Sequence, residues 1–197
     1  MEPGGIVLDL GSVTLPLSSR EVFGSALSLE VEFGVGKGRF VLEWAAAHPE
    51  VGLVGVERAR KYLQMAALRV ARRGLSNVRL VHTTAEDLLF RCLGEGSVAA
   101  IHVYFPDPWP KKRHHKRRFF RPSNAARVAD VLAPGGLLRV KTDHDGRAAV
   151  IGEVLAGETR LAPVAVGIAF DGIPVTSFEV KYAQESRQVH RLAYRRV

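Results

Sequence analysis

The sequence predicts an α/β fold built on a mostly parallel, twisted sheet with an antiparallel C-terminal edge. Three observations predict it. Short β-branched runs alternate with longer segments of helical period. No repeat, low-complexity tract or linker rich in Pro, Gly or Ser divides the chain. The tail carries two strand-like runs with little helix between them, the pattern of an antiparallel edge. At 197 residues and 47% hydrophobic the chain can bury one good core. A single domain over residues 1–197 is expected, with 1–27 as a lead-in and 106–122 as a basic loop.

Residues 29–33 read as the first strand and 39–47 as the helix after it. Strand 53–56 precedes helix 59–73, and strand 78–81 precedes helix 85–93. Strand 99–105 follows, then helix 124–132 and strand 137–142. Runs 164–170 and 189–195 read as the last strands. This alternation wraps helices over both faces of a sheet. Ligands of such sheets bind beyond the carboxyl ends of the strands, so those ends are where chemistry is expected.

The first strand ends in Glu32-Phe33-Gly34-Val35-Gly36-Lys37-Gly38. Glycines there tolerate positive φ and let a ligand approach the backbone. The dinucleotide fingerprint needs a further glycine where this chain has Arg39, which disfavours a nicotinamide dehydrogenase. The G-x-G-x-G spacing instead fits the turn used for S-adenosylmethionine, which has no pyrophosphate to hold. Glu32 repels a pyrophosphate and attracts an ammonium or a sulfonium. The second strand ends at Glu57, 19 residues after Gly38, where a carboxylate suits both hydroxyls of a ribose. Turn, spacing and acid together indicate an adenosyl nucleotide. Thr84 reads as an N-cap with Asp87 three residues on; a hydroxyl facing the adenine is the other reading.

The net charge of +8 is concentrated. Between 106 and 122, seven cations stand against Asp107 alone, which suits a polyanion meeting one place. Three prolines in five residues, Pro106, Pro108 and Pro110, stiffen the backbone that carries Asp107 and Trp109. The first and fourth strands flank the switch point, so Asp107 is expected opposite the glycine turn. Basic runs are often solvated tails. This one lies between two strands, where a tail would not be. Its tryptophan either stacks on a base or packs under the loop. One cysteine and scattered histidines give no zinc-ligand set, and Cys92 and the serines have no partners for a nucleophilic hydrolase. A lone cysteine, an acidic start over residues 1–10 and no apolar stretch of about 18 residues point to a soluble cytoplasmic protein without membrane contact.

The run FPDPWPKKRHHKRR resembles the signature of the bacterial tRNA (guanine-N7)-methyltransferases. The E-x-G-x-G-x-G turn, the GVE end of the second strand, LAPGG-(x)4-KTD and TSFE follow in that family's order, over about residues 20–197. The resemblance implies a Rossmann-like, S-adenosylmethionine-dependent methyltransferase fold. It implies methyl transfer to N7 of a guanosine in the tRNA variable loop, with S-adenosylhomocysteine as product. It implies cofactor contacts at Glu32, Gly34, Gly36, Gly38, Glu57, Thr84 and Asp107, the last also as the catalytic acid. Thr84 stands where members commonly have Asp or Asn. Substrate contacts are implied at Lys111, Asp143, Thr176, Ser177, Phe178 and Glu179, with Asp143 or Glu179 reading the guanine edge. Lys112, Arg113, His114, His115, Lys116, Arg117 and Arg118 form the implied RNA-binding loop. The expected partner is tRNA, with no metal; monomer and homodimer both stay open. Two rival functions are a methyltransferase acting on another substrate and a non-enzymatic RNA-binding protein on the same fold.

Overall fold

A computed structural model of the chain describes residues 5–107, 113 and 118–197. The described chain opens with a 3-10 turn, Leu10–Ser12, and α1 (Ser19–Phe23). Alternating elements follow: β1 (Ser28–Phe33), α2 (Arg39–Ala47), β2 (Val51–Val56), α3 (Arg60–Arg72), β3 (Val78–Val81) and α4 (Ala85–Asp87), which runs into a π-turn, Leu88–Cys92. Then come β4 (Val98–Tyr104), α5 (Pro122–Val131), β5 (Leu132–Thr142), α6 (Asp145–Ala156), β6 (Leu161–Pro163), α7 (Val166–Ala169), α8 (Ser177–Gln184) and β7 (His190–Arg196).

The strands form one seven-stranded sheet in the order β3-β2-β1-β4-β5-β7-β6. β1 to β5 run parallel, and β7 pairs antiparallel with both β5 and β6. The expected parallel sheet with an antiparallel C-terminal edge is therefore what forms. β2 is buried along its whole length, as a parallel strand covered on both faces must be. One core packs Val31, Phe33, Ile101, Val103, Phe119 and Val128 on one side of the sheet. The other packs Val35, Phe40, Trp44, Leu63, Ala66 and Tyr104 under α2 and α3. Residues 6–8 lie along β3, where Leu8 N–H donates to the Leu80 carbonyl and Leu80 N–H to that of Ile6, both at 2.8 Å. No helix among the described residues is long and apolar enough to cross a membrane.

The structure corrects the reading at three places. Residues 164–170 do not form a strand. β6 stops at Pro163, which has no N–H to continue the ladder, and α7 begins at Val166. The β-branched residues that suggested a strand are surface groups, Ile168 being 73% exposed. Helix is not scarce in the tail either, because α8 stands between β6 and β7. The helix expected at 85–93 is one α-turn followed by a π-turn. A further helix, α6, buries Arg147, Ile151 and Leu155 at four-residue spacing and was not anticipated.

Gly55 is fixed by close approach. A Cβ there would sit 2.5 Å from Val35 Cγ1 and 2.9 Å from Leu80 Cδ2. Gly55→Ala is expected to cost about 1–3 kcal/mol by overpacking. Thermal denaturation should show the midpoint falling by roughly 2–4 °C per kcal/mol.

Candidate active site

A cleft of about 580 Å³ opens at the carboxyl ends of β1, β2 and β4, where the strand order reverses between β1 and β4. Gly34 and Gly36 line it, at φ +87° and +51°, and a Cβ on either would point into open space. Gly34 and Val35 N–H both donate to the Val56 carbonyl, which ties the turn to β2. Gly38 does not line the cleft. Its φ of +79° starts α2, and a Cβ would lie 2.9 Å from Ala66 Cβ, so it sets α2 against α3.

Glu57 braces the same wall. Its Oε2 accepts from Gly36 N–H at 3.0 Å and its Oε1 from Ala59 N–H at 2.8 Å, while the side chain still borders the cleft. Thr84 caps α4, as one reading expected, its Oγ1 accepting from Asp87 N–H at 3.1 Å, and the residue also borders the cleft. Glu32 lies buried on β1, with Oε2 lacking any hydrogen-bond partner among the described residues. Burial, reinforced by the nearby Glu57 charge and partly offset by Lys141, pushes its carboxyl well above the usual range.

Asp107 follows β4 on the opposite wall and is exposed. Its Oδ2 accepts from Arg58 Nη2 at 3.1 Å, an ion pair spanning the loops after β4 and β2. Phe105 turns the chain at φ +52°, an unusual angle for a bulky side chain. Its ring meets Phe178 and Tyr182 of α8 at centroid distances of 5.5 and 5.3 Å. Phe178 is 47% exposed and faces the cleft. Asp143, just past β5, accepts from Arg187 at 3.1 Å beside Tyr182.

Glu179 is spoken for inside the protein. Its Oε2 accepts from Lys141 Nζ and from Thr176 N–H, both at 2.8 Å, and its Oε1 from Arg191 at 2.9 Å. Thr176 Oγ1 accepts in return from Glu179 N–H, completing a capping box at the start of α8. Burial alone would raise the Glu179 carboxyl; Lys141 and the Thr176 backbone reverse this and hold it below the usual range. Ser177 opens α8 and is exposed.

The structure thus gathers Gly34, Gly36, Glu57, Thr84, Asp107 and Phe178 on one lining. Glu32, Gly38, Asp143, Thr176, Ser177 and Glu179 stand behind or beside it. Of the basic loop, Arg113 is exposed and Arg118 half-buried. Trp109, Lys111, Lys112, His114, His115, Lys116 and Arg117 lie outside the described residues.

Sequence reasoning missed a buried polar row beneath the cleft. Glu30 Oε2 accepts from Trp44 Nε1 and from His102 Nε2, both at 2.8 Å, and Tyr104 O–H lies 2.8 Å from His102 Nδ1. Burial lowers the His102 pKa despite Glu30 beside it, and burial keeps the Tyr104 phenol protonated. The ring is therefore neutral, Nε2–H donating to Glu30 and Nδ1 accepting from tyrosine. Arg139 and Lys141 complete the row on β5, paired in register with His102 and Tyr104. Its signal was visible as alternate polar residues in β1, β4 and β5.

The Glu32 carboxyl titrates higher in the folded chain than in the unfolded one. The folded state therefore binds more protons above the ordinary carboxylate range, and stability contributed at low pH is lost as pH rises. Glu32→Gln, which mimics the protonated acid, is expected to melt higher than wild type at pH 8 and to lose that advantage by pH 4.5. An equal gain at both pH values would mean that Glu32 is not the group responsible.

The family described as "Putative methyltransferase" matches residues 27–192. A tRNA (guanine-N(7)-)-methyltransferase of Mycobacterium avium (strain 104) is 39% identical over 172 residues, covering 84% of this chain and 65% of the relative. One from Alkalilimnicola ehrlichii (strain ATCC BAA-1101 / DSM 17681 / MLHE-1) is 36% identical over 184 residues, covering 92% and 78%. The chain thus spans just under two thirds of the length of the mycobacterial relative. Among solved structures, an antibiotic-related methyltransferase aligns with a TM-score of 0.62 at 17% identity, over 91% of this chain and 95% of that one. A 16S rRNA (adenine(1408)-N(1))-methyltransferase variant from Catenulisporales acidiphilia, solved with cosubstrate SAM, aligns at 0.57 and 20%, over 88% and 87%. These structures share the fold. With the family match over most of its length and relatives above one third identity, the chain belongs to the tRNA (guanine-N7)-methyltransferase family.

Proposed function

We propose that this protein transfers a methyl group from S-adenosylmethionine to N7 of a guanosine in the variable loop of tRNA, in the bacterial cytoplasm. One observation carries the reading: Gly34, Gly36, Glu57, Thr84 and Asp107 share the lining of one cleft at the switch point. Its volume of about 580 Å³ is in the range of small-molecule sites. The buried, unpartnered oxygen of Glu32 supports a cationic ligand group, because a lone buried acceptor is costly unless something arrives to bond it. Glu57 accepts one backbone N–H on each oxygen and keeps lone pairs for a ribose diol. Glu32, the glycine turn, Glu57 and Thr84 are thus the residues assigned to the cofactor, which supplies a methyl group already activated on a sulfonium.

Guanine N7 carries an exposed lone pair at neutral pH, so the chain has no proton to remove before attack. Its work is orientation, a contribution that reaches about 7–11 kcal/mol when reacting atoms are well aligned. Asp107 shares the cleft lining with the glycine turn, and there a carboxylate would balance positive charge passing to the purine. Its bond to Arg58 is an exposed pair, worth at most about 1 kcal/mol, and is readily exchanged for a contact to substrate. The half-exposed Phe178 offers a face for base stacking. Of the two acids considered for reading guanine, Asp143 fits better. Glu179 is buried and occupied by three donors, whereas Asp143 is held by the exposed Arg187 and by Tyr182. Arg113, Arg118 and the cations around them in sequence are assigned to phosphates.

The deciding experiment is nucleoside analysis of tRNA incubated with the protein and labelled methyl donor. Label in N7-methylguanosine is expected; label elsewhere, or none, overturns the reading. Asp107→Ala should lower turnover at least about 100-fold while leaving tRNA affinity near wild type, by analogy with losing one preorganised electrostatic group. Asp143→Ala should raise the KM for tRNA while leaving the stability within about 1 kcal/mol of wild type. Glu179→Ala should instead lose about 3–5 kcal/mol of stability, because it strands buried Lys141. Calorimetric melting curves and steady-state kinetics separate the two.

A further inference from the structure

The outer face of α3 carries charge that nothing in the fold uses. From Arg58 to Ala85 the chain holds seven cations and no acid. Besides Arg60 at the start of α3, four of them, Lys61, Arg69, Arg72 and Arg73, are exposed on or just after it. Lys61, Met65, Leu68 and Arg72 fall at i, i+4, i+7 and i+11, one stripe roughly 17 Å long. None of the four cations has a carboxylate partner among the described residues. Arg69 donates to the Lys37 carbonyl at 2.7 Å and Arg73 to that of Leu42 at 3.5 Å, contacts that fix the guanidiniums without neutralising them.

Apolar groups interleave the charges. Tyr62, Met65 and Leu68 are 41%, 37% and 46% exposed. A helix that only had to be soluble would mix in acids as i,i+4 partners. Cations at its C-terminal turn gain from the helix dipole, but that accounts for Arg69, Arg72 and Arg73 and not for Lys61 at the first turn. The stripe also starts at the cleft, since Ala59 and Tyr62 line it. Arg113 and Arg118 belong to the segment after Asp107, and Arg118 lines a separate small hollow with Arg147 and Ile151.

We infer that the exposed face of α3 is a second phosphate-binding surface for the RNA substrate, separate from the cations that follow Asp107 in sequence. The inference rests on the proposed tRNA activity and names where that RNA continues beyond the methylated base. The reactive guanosine enters the cleft, and Lys61, Arg69 and Arg72 hold the backbone leading away from it along α3. Tyr62 and Met65 contact the nucleotide nearest the cleft through stacking and apolar contact.

The test is filter binding of tRNA to the full chain over 50–300 mM salt, comparing wild type with Lys61→Gln/Arg72→Gln. The control is Arg20→Gln/Arg195→Gln, which removes two exposed cations elsewhere. Loss of two phosphate contacts should weaken binding about tenfold near 100 mM salt and reduce the slope of log K against log salt by about 1.5–2. The control should change neither by more than about twofold, and all three proteins should bind the cofactor equally by titration calorimetry. Unchanged affinity and slope in the α3 variant, with a wild type that binds tRNA, overturns this surface alone. A wild type that binds cofactor but no tRNA overturns the parent reading as well. A variant that changes sedimentation from dimer to monomer assigns the face to a second copy of the chain and also overturns the inference.

Discussion

Two carboxylates on β1, Glu30 and Glu32, and two cations on β5, Arg139 and Lys141, share one layer of the sheet, with neutral His102 and Tyr104 between them. Charges buried at this depth are tolerated only when each finds an opposite charge or a full set of hydrogen bonds. Glu30 has hydrogen bonds, from neutral His102 and from Trp44. Lys141 has both, through Glu179, the Pro174 carbonyl and the face of Tyr104 at 4.7 Å. Glu32 and Arg139 each keep a buried polar atom without a partner among the described residues, and Glu32 sits two residues before Gly34, where the cleft opens. Lys141 holds Glu179 in the first turn of α8, the helix that carries Phe178.

The cleft itself follows from topology. Helices leave β1 and β4 toward opposite faces, so the two strand ends separate and leave a gap between Gly34 and Asp107. The gap has unlike walls. Backbone amides and Glu57 form the one nearer β2, while Phe105, Asp107 and Phe178 form the other. Such a division lets a small polar nucleotide and a flat base approach from different directions. The positive φ of Phe105 turns the chain after β4 at this wall, and its ring lies among the α8 aromatics.

Much of this was legible in the sequence where local rules act alone. The strand ending in Val56 stands out because burial on both faces makes it a continuous apolar run. The glycine turn was legible because positive φ demands a particular residue type, and Glu57 because a lone acid ends an apolar strand. What failed to show depended on partners distant in sequence. Glu179 looked like a substrate contact because nothing local reveals that Lys141 and Arg191 claim it. Yet its T-x-x-E spacing with Thr176 is a helix-start signal and would have placed α8. Val164, Val166 and Ile168 suggested a strand, but after one last bond to β7, from Val164 N–H to the Ala193 carbonyl, the chain turns into α7. The cations of α3 were overlooked because acids elsewhere cancel them in the total.

Residues 6–8 and the short β6 look like incidental trimmings of the sheet. At one margin, Ile6 and Leu8 occupy the hydrogen-bonding groups of Leu80 that would otherwise face outward. At the other, β6 is three residues long and finishes in a proline. Neither side offers a long open ladder onto which a foreign strand could zip, which guards against edge-to-edge aggregation. Any association between copies of this chain would therefore have to be made by helices and loops, leaving the sheet closed to growth.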